Sequence, residues 1–497
     1  MSEALHALLR VVDLGTLAHL VLGVALGLVG GALPGVTITL TLALLLPFTF
    51  YVSPEAALAL LLGAYVAGFT GGAFSAITLN IPGTPSAAGT AIDGYPLARK
   101  GEADWALFLV VAASFLGGLV GWTALVLFTP IVAGFALRFG PPEIATLVLS
   151  ALTLVIVFSS GDLVKGLLSA ALGASFAMVG LDPLSGVPRY TLGRLELQDG
   201  IPFLVALIGL FAYPPLLLAV GARADVFVPS VAFRLSRLLR RVFSWVLLKV
   251  IAVSSLLGVL VGAIPGTGGP IAVFLAYGAV RRFIPVERRR LLGQGAEEGV
   301  AACEAANSAV APGAMMPLIT LGIPGDPVTA ILLGALIIHG LAPGPLFFQN
   351  HRDFVFEIFA LLFMAIVATA LMALVGARAL LLALRVPQAY LVSLIAVLVT
   401  LGTYSIRNSF FDVGMALGFG LLGYILLRQG FSLIPLLLAL ILFEPLERNF
   451  RLGLTLSGGD LSIFVTRPLA LLFLVIACLA FVLSLRNERI RAARSRS

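Results

Sequence analysis

Two short phrases in this chain have the residue types and spacing to bind an anion without any basic side chain. Asn80-Ile81-Pro82-Gly83-Thr84-Pro85 is matched in the second half by Gly322-Ile323-Pro324-Gly325-Asp326-Pro327. Upstream of each stands another matched pair, Gly31-Ala32-Leu33-Pro34-Gly35 and Gly262-Ala263-Ile264-Pro265-Gly266. Proline donates no backbone hydrogen bond, and glycine can take φ > 0, so a helix reaching Ile-Pro-Gly ends there. Thr84 and Asp326 suit the N-cap of the following helix, with Pro85 and Pro327 at its first position. Such a start presents unpaired N–H groups and a partial positive charge. The candidate substrate-binding set is Asn80, Pro82, Gly83, Thr84, Pro85, Gly322, Pro324, Gly325, Asp326 and Pro327, with the turn glycines Gly35 and Gly266. Two tips meeting at membrane depth could hold two carboxylates of one substrate. Ordinary kinks would use the same residues, but the duplication and the extra polar atoms favour a site.

A second group could bind a cation. Glu304 and Asn307 lie three residues apart, on one face of a helix, followed by Ser308. An ionisable residue inside a membrane is a functional candidate by default. Glu304, Asn307 and Ser308 are therefore candidates for a coupling ion. The competing reading is a polar helix end beside the solvated Glu297 and Glu298. Asp93, just before Arg99 and Lys100, is a weaker ion candidate and reads first as a cap near the surface.

Other chemistries find no support. Cys303 and Cys478 are far apart, and His6, His19, His339 and His351 form no ligand cluster, so no metal site or disulfide is expected. There is no GxSxG, HExxH or Gly-rich phosphate loop, which leaves an intramembrane acid–base enzyme without a nucleophile or metal. A passive channel predicts continuous polar-lined helices rather than paired interruptions. No cofactor is expected apart from Na⁺ as a candidate coupling ion.

The elements that must carry these residues are membrane helices. The chain of 497 residues is 60% hydrophobic and 11% charged, with mean hydropathy +1.10, where soluble domains carry about 25% charged residues. Apolar runs long enough to cross a bilayer recur from end to end, including 14–32, 55–72, 104–136 and 354–376. Residues 73–79 and 314–321 are apolar but too short to cross. They read as re-entrant arms or as broken helices whose tips lie inside the membrane. The first residues lack a basic region before a cleavable apolar core, so no removable signal peptide is expected.

Arginine placement sets the orientation. Arg234, Arg237, Arg240 and Arg241 precede the segment at 244–264, and Arg281, Arg282 and Arg288–Arg290 follow the segment at 267–280. Both loops belong in the cytoplasm. The matching unit of the first half leads into Tyr51–Glu55, without Lys or Arg, which belongs on the other side. The net charge of +7 is assigned to topology rather than to an anionic partner, and nucleic acid is excluded. The expected organisation is a first transmembrane repeat at 1–222, a basic cytoplasmic linker at 223–243, a second repeat with C-terminal helices at 244–485, and a basic tail at 486–497. The expected fold class is an all-α polytopic membrane protein of two inverted repeats with re-entrant or broken helices, moving as an elevator. A parallel repeat is the alternative.

The runs Leu33–Gly35, Asn80–Pro85, Asp93–Pro96, Lys100–Ala103, Glu304–Asn307, Leu321–Gly325 and His339–Pro345 resemble the large membrane subunit of the tripartite tricarboxylate transporters, the TctA family. Their order and spacing carry the resemblance across essentially the whole chain. It implies import of carboxylates across a bacterial inner membrane, driven by a Na⁺ or H⁺ gradient. It also implies a small membrane subunit of about four helices and a periplasmic binding protein, and leaves a homo-oligomer open. Three positions depart from the family pattern: Ser308 replaces a second Asn, Cys303 a Pro, and Asp326 a small Ser. A carboxylate at 326 would occupy or repel an anion at that tip, which argues against a highly charged substrate.

Overall fold

The computed structural model describes residues 11–33, 35–159, 162–219, 233, 235–384, 386 and 388–494. Pro34, residues 223–232 and 234 of the linker, and 495–497 of the tail lie outside them. Nine helices among the described residues are long and apolar enough to cross a membrane, and five shorter apolar helices accompany them. A two-residue antiparallel pairing of Gly180–Leu181 with Pro188–Arg189 is the described exception to an all-helical architecture.

In the first half, α1 (Leu14–Ala32) and α2 (Ile38–Leu45) are followed by α3 (Pro54–Leu79), α4 (Ala87–Leu97) and α5 (Ala103–Ala136). Then come α6 (Pro141–Ser159), α7 (Leu163–Ala177) and α8 (Phe203–Ala219). A basic helix α9 (Leu235–Val242) leads into α10 (Trp245–Gly262), α11 (Gly268–Val280), α12 (Glu297–Leu321), α13 (Pro327–Ile338) and α14 (Arg352–Val375). The chain closes with α15 (Gln388–Arg407), α16 (Phe410–Arg428), α17 (Ile434–Leu456) and α18 (Pro468–Arg494).

Residues 73–79 and 314–321 are not separate arms. They are the last turns of α3 and α12, helices of 26 and 25 residues buried along nearly their whole length. The start of α3 follows the capping rules: Ser53 Oγ accepts from Ala56 N at 3.3 Å, and Pro54 opens the helix. Hydropathy hides α12. Its run of Ala, Gly and Glu, with Pro312 and Pro317 inside, reads as weakly apolar, yet small residues are what a central membrane helix uses to let neighbours approach. The long stretch at 104–136 is one helix of 34 residues containing Pro130.

Glycines set the central packing. A Cβ at Gly23, Gly27 or Gly31 of α1 would strike the backbone of Leu60, Ala64 or Gly68 of α3. In the second half, Gly258 and Gly262 of α10 lie in the same way on Ala306 and Val310 of α12. In both pairs the contacts advance together, so the helices run parallel. Across the halves, Gly117 of α5 rests on the Ala305 backbone of α12. Trp122 Nε1 donates to Phe359 O at 2.8 Å, while Gly118 faces Ile366, so α5 and α14 run antiparallel.

Around this centre, α6, α7 and α8 pack with α16, α17 and α18. The outer surfaces are apolar: Leu472, Leu479 and Val482 of α18 and Leu256 and Leu260 of α10 are exposed, as lipid-facing residues are. Both halves contribute to both groups, and α2 and α13 lie between them.

Overpacking at the glycine seams should be destabilising. Gly27→Leu and Gly258→Leu are each expected to lose about 1–3 kcal/mol. Gly134→Ala and Gly278→Ala, where a Cβ meets nothing within 4 Å, should stay within about 0.5 kcal/mol. Thermal unfolding of the purified chain in detergent checks all four.

Candidate functional site

The two tips are built alike. Each long helix ends on a left-handed residue, Asn80 (φ 55°) after α3 and Gly322 (φ 69°) after α12. Gly83 and Gly325, expected to use φ > 0, do not take it. They are required for close approach instead. A Cβ on Gly83 would strike Gly31 O, and one on Gly325 would sit 3.1 Å from Gly262 O. Gly83 N donates to Gly72 O at 3.3 Å, and Gly266 N donates to Gly325 O at 2.7 Å. The two repeated phrases of each half are thus one device: the first Gly of the upstream phrase is the seat of the downstream tip.

Both tips line one cavity of about 480 Å³. Thr84, Pro85 and Ser86 come from the first tip, Asp326 and Pro327 from the second, and Gly266 to Gly269 from the turn into α11. Leu210 and Phe211 of α8 and the start of α17 form the opposite wall. Among the described residues no lysine or arginine lines it, and Asp326 is its one charged residue. Asn80, Pro82, Gly83, Gly322, Pro324, Gly325 and Gly35 do not line it. Their roles are to end a helix or seat a tip, and Asn80 and Gly35 are exposed.

Besides that of α17, four helix N-termini meet this cavity, and they differ in how far they are already satisfied. For α2, Thr37 Oγ1 accepts from Leu40 N at 3.1 Å. For α13, Asp326 makes a capping box: its Oδ1 accepts from Thr329 N at 2.7 Å, and Thr329 Oγ1 accepts from Asp326 N at 2.9 Å. Tyr65 of α3 donates to Asp326 Oδ2 at 3.2 Å. Asp326 and Pro327 thus take the cap and first position, as the sequence predicts. For α4 the cap falls two residues later than expected, at Ser86, which makes no side-chain cap bond, because Thr84 instead closes a turn with Ala87 N at 3.3 Å. For α11, Thr267 makes no cap either; its hydroxyl donates to Val261 O and Ile264 O. The first turn of α11 is Gly268-Gly269-Pro270, which offers backbone rather than side chains to the cavity. At α4 the N–H groups of Ala87, Ala88 and Gly89 already bond the carbonyls of Thr84, Pro85 and Ser86 at 3.0–3.4 Å, so of these four starts that of α11 is the one left open to an anion.

Asn307 stands directly behind it. A Cβ on Gly269 would lie 3.0 Å from Asn307 Oδ1 and 3.1 Å from Ser86 Cβ, and neither polar atom of the Asn307 amide has a partner among the described residues. Glu304, one turn before, is fully buried and accepts from Thr90 of α4 and from Ser114 Oγ of α5 at 3.1 Å. Ser308 points elsewhere, toward α14. Asp93 is not a surface cap. It is fully buried and closes the start of α12, with Oδ1 accepting from the N–H groups of Gly293, Gly295 and Ala296 at 2.8–2.9 Å. Its Oδ2 accepts from Tyr277 Oη at 2.8 Å. Glu298 is buried and paired with Arg288, and Glu297 bonds Arg241 and Trp105, so neither is simply solvated. Sequence reading missed Tyr65, for which there is no local signal. It also missed the α11 start, for which Gly268-Gly269-Pro270 directly after the repeated phrase was the available one.

The family model described as the tripartite tricarboxylate transporter TctA family matches residues 17–438. A protein of Agrobacterium vitis, described as an uncharacterized 52.8 kDa protein in the TAR-I ttuC' 3'region, is 36% identical over 471 residues. That match covers 94% of this chain and 93% of the relative. A second A. vitis protein, described as lying in the TAR-II ttuC' 3'region, is 37% identical over 238 residues, or 47% of this chain and 97% of its own length. No solved structure matches the chain.

The Asp326 cap is testable apart from any activity. Asp326→Ala should lose about 1 kcal/mol, while Asp326→Ser, which keeps a capping oxygen, should lose only a few tenths. Tyr65→Phe should cost about 0.5–1.5 kcal/mol in the native background and close to nothing in Asp326→Ala. Unfolding in detergent across this double-mutant cycle reads the coupling.

Proposed function

The chain belongs to the tripartite tricarboxylate transporter TctA family, and from that premise we propose that it is the large membrane subunit of a secondary active importer of organic carboxylates. Family membership makes it a multi-pass membrane protein and a subunit of a tripartite transporter. The observation that carries the finer reading is the shared cavity. Two interrupted helices, one from each half, meet there with an uncapped helix start and, among the described residues, no basic side chain. Transporter sites are built in this way from half-helix N-termini facing anionic groups.

The carboxylate is held by the N-terminus of α11, with Asn307 behind it. Asp326 already satisfies the α13 N-terminus, so the second tip contributes little to anion binding. The favoured substrate therefore carries fewer charges than a tricarboxylate, or brings a hydroxyl or amino group to Asp326. A Na⁺ or H⁺ gradient drives the step. A small membrane subunit and a periplasmic binding protein complete the assembly in a bacterial inner membrane.

The two halves act as inverted repeats. In support, the antiparallel course of α5 and α14 relates corresponding parts in opposite senses. The basic loops at 234–241 and 281–290 and the C-terminus then lie in the cytoplasm, and 51–55 in the periplasm. The tips, with α4 and α13, move as one unit against the group containing α6, α7, α8, α16, α17 and α18, in an elevator motion.

Reconstitution with the partner subunits tests the reading. Uptake of a dicarboxylate should require an imposed Na⁺ or H⁺ gradient and fail without one. Asp326→Ser, which keeps the cap, should raise the ratio of tricarboxylate to monocarboxylate uptake; an unchanged ratio removes the charge-limiting role. Labelling of cysteines placed at Ser53 and Arg288 should occur from opposite sides of the membrane, and labelling from one side sinks the inverted arrangement.

A further inference from the structure

A small void lies where two helices of the first half cross two of the second. It measures about 10 Å³, room for one water-sized occupant. Thr70 of α3, Ser114 of α5, Ser308 of α12 and Thr369 of α14 face it, and the remaining lining is apolar, including Val66, Val111 and Ile366. Ser308 and Thr369 are more than nine-tenths buried, and neither hydroxyl has a hydrogen-bond partner among the described residues. Orphaned buried hydroxyls are costly, so two of them aimed into one void call for an occupant.

Charge decides what kind. Ser114 joins the void to Glu304, donating to its Oε2 at 3.1 Å. Glu304 receives only hydroxyl donors, from Thr90 and Ser114, and among the described residues it takes part in no ion pair. A buried carboxylate without a counter-charge is expensive in an apolar interior. A neutral water would satisfy the hydroxyls and leave that charge uncompensated. A small monovalent cation would do both, because hydroxyl and carboxylate oxygens are ligands for hard cations.

We propose that the Thr70–Ser114–Ser308–Thr369 void, beside Glu304, is a binding site for one dehydrated cation of Na⁺ size, separate from the carboxylate cavity. Both halves of the chain supply its ligands. Glu304 and Ser308 share α12 with Asn307, which stands behind the cavity, so the site and the cavity are joined by one helix. That this ion is the coupling ion rests on the transport reading above; its binding does not.

The test uses the full chain in detergent, unfolded thermally in NaCl, KCl or choline chloride at constant ionic strength. NaCl alone should raise the unfolding temperature of the native chain, with saturation, as a ligand of the folded state does. Glu304→Gln should abolish the rise. Ser308→Ala and Thr369→Val should weaken the apparent Na⁺ affinity at least tenfold, while Thr369→Ser retains it. If Glu304→Gln does not fold, the hydroxyl variants decide. The proposal is overturned if NaCl and choline chloride act alike on the native chain, or if the hydroxyl variants keep native Na⁺ affinity. It is equally overturned if stability follows pH with no response to NaCl, which would make a proton the partner of Glu304. Na⁺ binding without gradient-driven carboxylate uptake would overturn the transport reading alone.

Discussion

The architecture depends on backbone approaching backbone without side chains between. Helices that stop inside an apolar molecule leave amide and carbonyl groups that no water can satisfy cheaply. Here each interrupted helix returns its tip to a glycine at the end of the helix two before it, Gly83 to Gly31 of α1 and Gly325 to Gly262 of α10. The bond from Gly266 N to Gly325 O closes the second seat. The seams between α1 and α3, and between α10 and α12, continue the same close contact away from the tips.

From that constraint follows the character of the cavity. Because the tips are held by backbone, they can be polar without carrying basic side chains. In the proposed reading the binding potential comes from helix starts, and the starts are graded: α13 and α2 are capped by Asp326 and Thr37, while α11 has no side-chain cap. An anion has most to gain where the protein has not already supplied an oxygen. The near-symmetry of the two tips therefore does not give a symmetric site. One carboxylate, Asp326, held by Tyr65 and Thr329, separates the roles of the halves.

Acidic groups along α12 show how position alone divides one residue type among tasks. Glu297 and Glu298, at its start, meet Arg241 and Arg288. Asp93 reaches across from α4 to close the same helix end through three N–H groups. Glu304, two turns deeper, meets only hydroxyls among the described residues. The first three are matched by a charge or by a helix dipole, and the last is not.

The sequence alone determined the membrane class, the ends of the two long helices and the capping by Asp326. These are local matters: Pro and Gly stop a helix wherever they stand, and an Asp before Pro caps the next one. It also marked Gly31 and Gly262 as repeated, but not why. Only the tertiary structure decided that each seats a tip, since contact between positions some fifty or sixty residues apart leaves no trace in local propensity. The same holds for α12, hidden from hydropathy because small residues trade apolar area for close packing. It holds for Asp93, whose neighbours in sequence suggest a surface and whose neighbours in space are a helix end. Residues that act through their own turn of backbone could be read directly. Those that act through another helix, among them Tyr65, Ser114 and Thr369, waited on the fold, because what they touch is set by which helices cross.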